Sequence, residues 1–202
     1  MTERFDELAD KISVKKTMNS LKKNGIKSYF VSNGKEAKKK VLKMLPSNAE
    51  VMNMSSETLR ITGIAEEIMN MKNSVKTKLK SMNKITQGRE MQRIGAAPEF
   101  SVGSCHAVTL NGNIMIASNS GSQIPAHSYG ADNVIFVVGT QKIVKDIDEG
   151  MKRIWEHSFP LENERAKKTY GTGSFPSKIL IINREIQKGR ITVIFVNEKL
   201  GF

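Results

Sequence analysis

Three short stretches combine small residues, hydroxyls, amides and a charge in a way that suits a small anion. Gly103-Ser104 leads into Cys105 and His106, Asn119-Ser120-Gly121-Ser122-Gln123 follows an apolar run, and Gly139-Thr140-Gln141-Lys142 follows another. A Gly/Ser loop that runs from a strand into a helix leaves backbone N–H groups free at the positive end of the helix dipole, where an anion is favoured. Ser104, Ser120, Ser122, Gln123, Thr140 and Gln141 supply orienting groups, and Lys142 adds a charge. His106 is the base beside these loops whose ordinary pKa lies close to neutrality, so acid/base work falls to it. His127, one turn into the following helix, is the second candidate. Cys105 is placed where a nucleophile is conceivable, but a small hydrophobe at a strand start is the plainer reading. As the single cysteine of the chain, it excludes an internal disulfide and any multi-thiolate zinc or iron–sulfur site here. No metal or cofactor is therefore expected within the chain.

The elements that must hold these loops alternate. Residues 2–24 read as a helix ended by Asn24-Gly25, Ile26 to Val31 as a strand, and Ser32-Asn33-Gly34 as the cap of a helix that Pro46 closes. A strand around Val51 to Met54 is followed by an N-cap at Ser55-Ser56 before Glu57. From Thr62 to Gly95 the spacing is helical but less regular, and Thr86, Gln87, Arg89 and Arg93 fall on a polar face. The stretch from Ser101 runs into the strand Ala107 to Leu110, turns at Asn111-Gly112 as a type I′ hairpin, and returns through Ile114 to Ala117. Pro125 then opens a helix, and Val134 to Val138 forms the next strand. Asp146 to His157 is a helix with Trp155 inward, Phe159 to Arg165 is irregular, and Tyr170-Gly171-Thr172-Gly173-Ser174 is a loop that either folds over a ligand or serves only as a flexible link. Strands Lys178 to Asn183 and Arg190 to Asn197 are expected to pair antiparallel. The pattern predicts an α/β fold with a mostly parallel sheet, whose carboxyl strand ends gather the three loops on one edge.

At 202 residues the chain suits one domain spanning 1–202, with a helical N-terminal segment over about 1–24. The acids in Met1 to Glu7 do not fit a secretory signal, and no apolar run approaches membrane-spanning length, so a cytoplasmic protein is expected. The net charge of +12 is spread over scattered lysines with few aromatic rings among them. That distribution argues against a nucleic-acid reader and fits a solvated lysine-rich surface.

Longer motifs carry a resemblance. Ser55-Ser56-Glu57-Thr58-Leu59, Gln92-Arg93-Ile94-Gly95-Ala96-Ala97-Pro98, Gly103-Ser104, His106 to Thr109, Ile116 to Asn119, Gly121 to Gln123, Tyr129 to Ala131, Val137 to Val144, Gly189 to Thr192 and Asn197 to Phe202 together span most of the sequence. With these motifs the chain resembles the LUD (lactate utilisation) domain family. The resemblance implies a three-layer α/β/α fold of the sugar-phosphate isomerase and CoA transferase kind. Family members similar to lactate-utilisation protein C act with iron–sulfur partner subunits in oxidising lactate to pyruvate. What it implies here is a subunit of lactate or organic-acid utilisation that binds a small anion at the Gly/Ser loops. Iron–sulfur clusters would then sit in partner subunits, and self-association is left open. The alternative is a stand-alone isomerase- or CoA-transferase-like enzyme, which needs a carboxylate at the site; Glu164 and Glu198 are the candidates, and both lie far along the chain from the loops. The resemblance supplies no agreed catalytic residue.

Overall fold

The computed structural model describes residues 3–202. Its centre is a five-stranded parallel sheet whose strands are, in chain order, β1 (Lys27–Val31), β2 (Val51–Asn53), β3 (Phe100–Gly103), β6 (Asn133–Gly139) and β9 (Ile191–Val196). They lie side by side in the order β1-β9-β6-β3-β2. A second sheet holds β4 (Ala107–Thr109), β5 (Ile114–Ser118), β7 (Ile143–Val144) and β8 (Lys178–Ile182), ordered β7-β4-β5-β8.

Both faces of the central sheet are covered, which is why β6 and β9 read as nearly continuous apolar runs, broken in β9 only by the buried Thr192. On one face Ile135, Val137, Ile194 and Val196 meet Ala37 and Val41 of helix α2 (Gly34–Met44), Leu59 of α3 (Glu57–Ile61), and Ile64 and Ile68 of α4 (Ile64–Met69). On the other face Val134, Phe136, Val138, Val193 and Phe195 meet Val108, Ile114, Ile116 and Ile182 of the second sheet, with Leu21 of α1 (Lys11–Lys23) closing the edge. The outer face of the second sheet is covered in turn. There Ala107, Met115 and Ala117 pack with Ile147 and Met151 of α7 (Ile147–Arg153) and with Ile154. The α/β expectation therefore holds, with a mostly parallel central sheet flanked by helices and a smaller sheet interleaved on one side.

Several local expectations are corrected. The two C-terminal strands do not pair with each other: β8 joins β5 antiparallel, whereas β9 lies between β1 and β6, parallel to both. A run as apolar as Ile191 to Val196 can be buried on both faces only in the middle of the parallel sheet. The three loop-bearing strands do not share one sheet either, because β5 belongs to the second sheet while β3 and β6 belong to the first. The stretch before His106 is itself a central strand, and the chain crosses between sheets at Ser104 to His106. The hairpin turn lies one residue earlier than a type I′ turn would. Gly112 N–H donates to Thr109 carbonyl at 2.8 Å, and positive φ is confined to Gly112 at 81°. A Cβ there would meet Leu21 N at 2.9 Å, so this glycine answers both to the turn and to α1 packed over it.

Helix α1 begins at Lys11, where Asp10 accepts the Ser13 N–H; residues 3–5 form a separate 3-10 turn, and the expected helical Thr2 lies outside the described residues. Pro125 precedes a single π turn, Ala126–Gly130, rather than a longer helix. The region after α7, expected to be irregular, is helical throughout. A π turn over Ile154–Ser158 passes directly into α8 (Phe159–Tyr170). Pro160 has no N–H to give and its ring crowds the carbonyl four residues back, and the widened turn before it relieves both. The remaining helices are α5 (Val75–Ser81) and α6 (Lys84–Ala96). No residue of α6 is buried, so Thr86, Gln87, Arg89 and Arg93 sit on a solvated face. Among the described residues, no helix is long and apolar enough to cross a membrane.

Phe136 lies fully buried between the two sheets, its ring centroid 4.8 Å from that of His127 and tilted by 55° to it. Phe136→Ala should lower stability by about 3–5 kcal/mol through lost transfer energy and an unfilled cavity, read as a drop in the urea midpoint with an unchanged slope.

Candidate functional site

The carboxyl ends of β2 and β3 and the turn after β6 point towards the place where the two sheets diverge. A cavity of about 380 Å³ opens there. One wall comes from the β2 end, Met54, Ser55, Ser56, Glu57 and Thr58, with Lys76 of α5 beside them. A second comes from the crossover, Ser104, Cys105 and His106, and from the β5 end with Ser118, Asn119, Ser120, Ser122 and Gln123. The third is α8 and the loop beyond it, including Glu162, Arg165, Tyr170 and Thr172 to Pro176, and Phe202 also reaches the cavity. Of the loop at Tyr170 to Ser174, all but Gly171 line the cavity.

Lys142 is the deepest charge of the wall. It follows β6 in a 3-10 turn, Thr140–Lys142, is 2% exposed, and donates from Nζ to Thr58 Oγ1 at 3.2 Å and Ser104 Oγ at 3.3 Å. Among the described residues no carboxylate pairs with it. Burial, reinforced by the Arg153 guanidinium, lowers its pKa to about 7. Arg153 is fully buried behind the wall. Its Nη1 donates to the His106 carbonyl at 2.6 Å and to Ser158 Oγ at 3.0 Å, while its Nε and Nη2 have no partner among the described residues. The π turn sets this arrangement, since one extra residue in the helical turn brings Ile154 and Ser158 to the cavity from the same helix that buries Arg153.

His106 lines the cavity half-buried, and its Nδ1 accepts the Ala117 N–H at 3.1 Å. That bond leaves the ring proton on Nε2. Burial first, then Lys142 and Arg153, lowers its pKa to about 3, so at neutral pH it is a neutral donor and not a proton-exchanging base. His127 is fully enclosed, with Nδ1 3.3 Å from Ser101 Oγ and with Nε2 unpartnered. Its pKa is likewise lowered to about 3, by burial and then by Arg190. Cys105 is buried, and burial raises its thiol pKa to about 11, which suits the hydrophobe reading and not a thiolate.

Of the residues singled out from sequence, Ser104, His106, Asn119, Ser120, Ser122, Gln123 and Lys142 are brought to the cavity. Gly103, Gly121, Gly139, Thr140 and Gln141 are not on its wall. A Cβ on Gly103 would approach His127 Cε1 to 3.0 Å, so its smallness admits that ring. Gly121, at φ 84°, turns the loop against Lys178. Gln141 donates to the carbonyls of Leu200 and Gly201 at 3.1 and 3.3 Å, and Gly139 leaves room for that side chain. These residues hold the C-terminal segment that places Phe202.

Sequence reasoning missed Glu57, Lys76, Glu162 and Arg165 on the wall, and Arg153 behind it. Glu164 and Glu198 are elsewhere: Glu164 pairs with Lys168 on the surface and Glu198 accepts the Gly34 N–H at 2.9 Å. The cavity carboxylates are already engaged. Glu162 grips Arg165 at both oxygens, each bond 2.7 Å, and Glu57 accepts from Arg60 at 2.8 Å. Lys76 donates to Ser55 Oγ at 3.2 Å, and burial lowers its pKa. The Ser55-Ser56-Glu57 motif was the available signal for this wall. Among the described residues no group of three or more His, Cys, Asp or Glu is placed to hold a metal ion.

The unfolded chain takes up protons on His106 and His127 below pH 6.5, whereas the folded chain refuses them down to about pH 3. Stability should therefore rise with pH across that window, each imidazole contributing a slope of about 1.4 kcal/mol per pH unit. His127→Gln should flatten the fall in urea midpoint between pH 7 and pH 5; an unchanged slope would show that this ring is charged in the fold. Gln141→Ala should release the C-terminal segment, read as faster carboxypeptidase trimming of the native protein.

A family model described as LUD domain matches residues 14–196. Among curated proteins, none matches the chain. The crystal structure of a DUF162 family protein from Deinococcus radiodurans, at 1.70 Å resolution, is similar with a TM-score of 0.55 and 14% sequence identity, covering 94% of this chain and 99% of that one. At that identity the likeness is one of fold.

Proposed function

This chain belongs to the LUD domain family, and from that premise we propose that it is a cytoplasmic subunit for using lactate or a related organic acid, which holds a small carboxylate or phosphate ligand in the cavity. The observation that carries the reading is the charge balance at the wall. Lys142 and Arg153 are buried together, Lys142 pairs with no carboxylate among the described residues, and Arg153, on which Asp6 alone of the carboxylates acts and only from a distance, keeps two donors unpartnered there. Burying a cation without a counter-charge costs several kcal/mol, and an anion in the cavity would offset part of that cost. The hydroxyls of Ser55, Ser104, Ser120 and Ser122 and the amides of Asn119 and Gln123 face the same space and suit a ligand's oxygens.

Electron transfer from such a ligand would fall to iron–sulfur partner subunits, since the one cysteine here is enclosed. A stand-alone isomerase- or CoA-transferase-like enzyme would need an uncommitted carboxylate, and the two nearest, Glu57 and Glu162, are each tied to an arginine. That pairing favours binding over independent acid/base chemistry.

Thermal unfolding against lactate, pyruvate, inorganic phosphate and a short DNA duplex tests the reading. A small anion at about 100 times its Kd should stabilise by about 2.7 kcal/mol, or roughly 5–10 °C. Lys142→Met should abolish that shift, and moderate salt should leave most of it. The shift should also weaken as pH rises above about 7, because the free lysine then loses the proton that attracts the anion. A shift from the duplex alone, erased by salt, would overturn the proposal.

A further inference from the structure

Building on the anion-cavity reading, we propose that Lys142 is an amine nucleophile that forms an iminium with the carbonyl carbon of a small 2-oxo acid. The amine lies on the wall of a cavity large enough for such a molecule. It is fixed by two hydroxyl acceptors, Thr58 Oγ1 and Ser104 Oγ, and not by a carboxylate. Those hydroxyls are themselves oriented, since Thr58 donates to the Leu200 carbonyl at 3.0 Å and Ser104 to the Cys105 carbonyl at 3.4 Å. A structural lysine is normally paired or extended to water, and this one is neither. Its surroundings act in the same direction: burial and the neighbouring guanidinium favour the neutral amine near neutral pH, the two devices by which reactive lysines are activated.

The neutral nitrogen attacks the carbonyl carbon, the C–O π electrons move to oxygen, and a proton passes from that nitrogen through water to the oxygen to give a neutral carbinolamine. Loss of that oxygen as water, with a second proton, leaves a C=N bond whose positive charge stays on nitrogen. One water is released and no oxidant or reductant is consumed. His106 keeps its proton on Nε2 and provides a hydrogen-bond donor on the same wall for the carbonyl oxygen. The substrate carboxylate falls to Lys76 and the serine loops that line the same cavity. A 2-hydroxy acid can occupy the same place but lacks the carbonyl, so it binds without the covalent step.

The test uses the full chain at pH 7 with pyruvate and with lactate, each with and without sodium cyanoborohydride, followed by intact-mass and peptide mapping. The expected result is one carboxyethyl group on the Lys142 peptide with pyruvate and none with lactate. Surface lysines with pKa values of about 10.4 should react about a thousandfold more slowly. Lys142→Arg, which keeps a cation and donors, should lose the adduct while retaining a pyruvate-induced rise in Tm. The wild-type mapping decides the matter if that variant fails to fold. A Tm rise from pyruvate with no adduct on Lys142 would overturn the iminium and leave the anion cavity standing. Adducts spread evenly over the lysines would overturn it as well, and neither a Tm rise nor an adduct would overturn both readings.

Discussion

The structure depends on the need to cover both faces of β6 and β9. Two adjacent parallel strands made almost wholly of Val, Ile and Phe leave no face for water, and each fully buried side chain of that kind contributes about 1.5–3 kcal/mol. Helices α2 to α4 cover one face. The other is covered by a second sheet, which itself has an apolar outer face and needs α7 to close it. Sheets stacked face to face diverge with their twist, and the cavity is the space left where the crossover from β3 to β4 and the end of β5 part from the central sheet.

That geometry explains the electrostatics. The turn after β6 must pass through the interior to start β7, and Lys142 lies on that passage. Arg153 is carried inward by the helix that covers the second sheet. Two cations are thus fixed in the interior by elements the core requires, and among the described residues neither forms an ion pair with a carboxylate. Low local polarity then strengthens their pull on an anion and weakens the hold of Lys142 on its own proton. Affinity for an anion and reactivity of the amine are two consequences of one placement.

The α/β class, most strand positions and the small-residue loops were legible in the sequence because they follow from local rules: alternation of strand and helix, caps such as Asn33 and Ser56, and Gly-rich turns. The Phe159 to Arg165 segment was not, since Pro160 signals a break unless the preceding turn is known to be π-helical. The pairing of β8 and β9 was misread because a short polar connection resembles a hairpin, while the burial that sends β9 to the centre is a property of its neighbours. Arg153 was invisible as part of the site, as its spacing fits any helix.

The sequence by itself determined which chemistry was on hand: hydroxyls and amides in loops at strand ends, one lysine after the β6 strand, one cysteine and three histidines. Residue type and local spacing suffice for that, because turn and strand preferences act over a few positions. Only the tertiary structure decided the state of those groups. Burial made His106 neutral, Cys105 inert and Lys142 labile in its proton, and it turned Gly139 and Gln141 from ligand groups into supports for the chain end. These outcomes depend on desolvation and on charges brought close from distant parts of the chain, and neither is encoded at any single position.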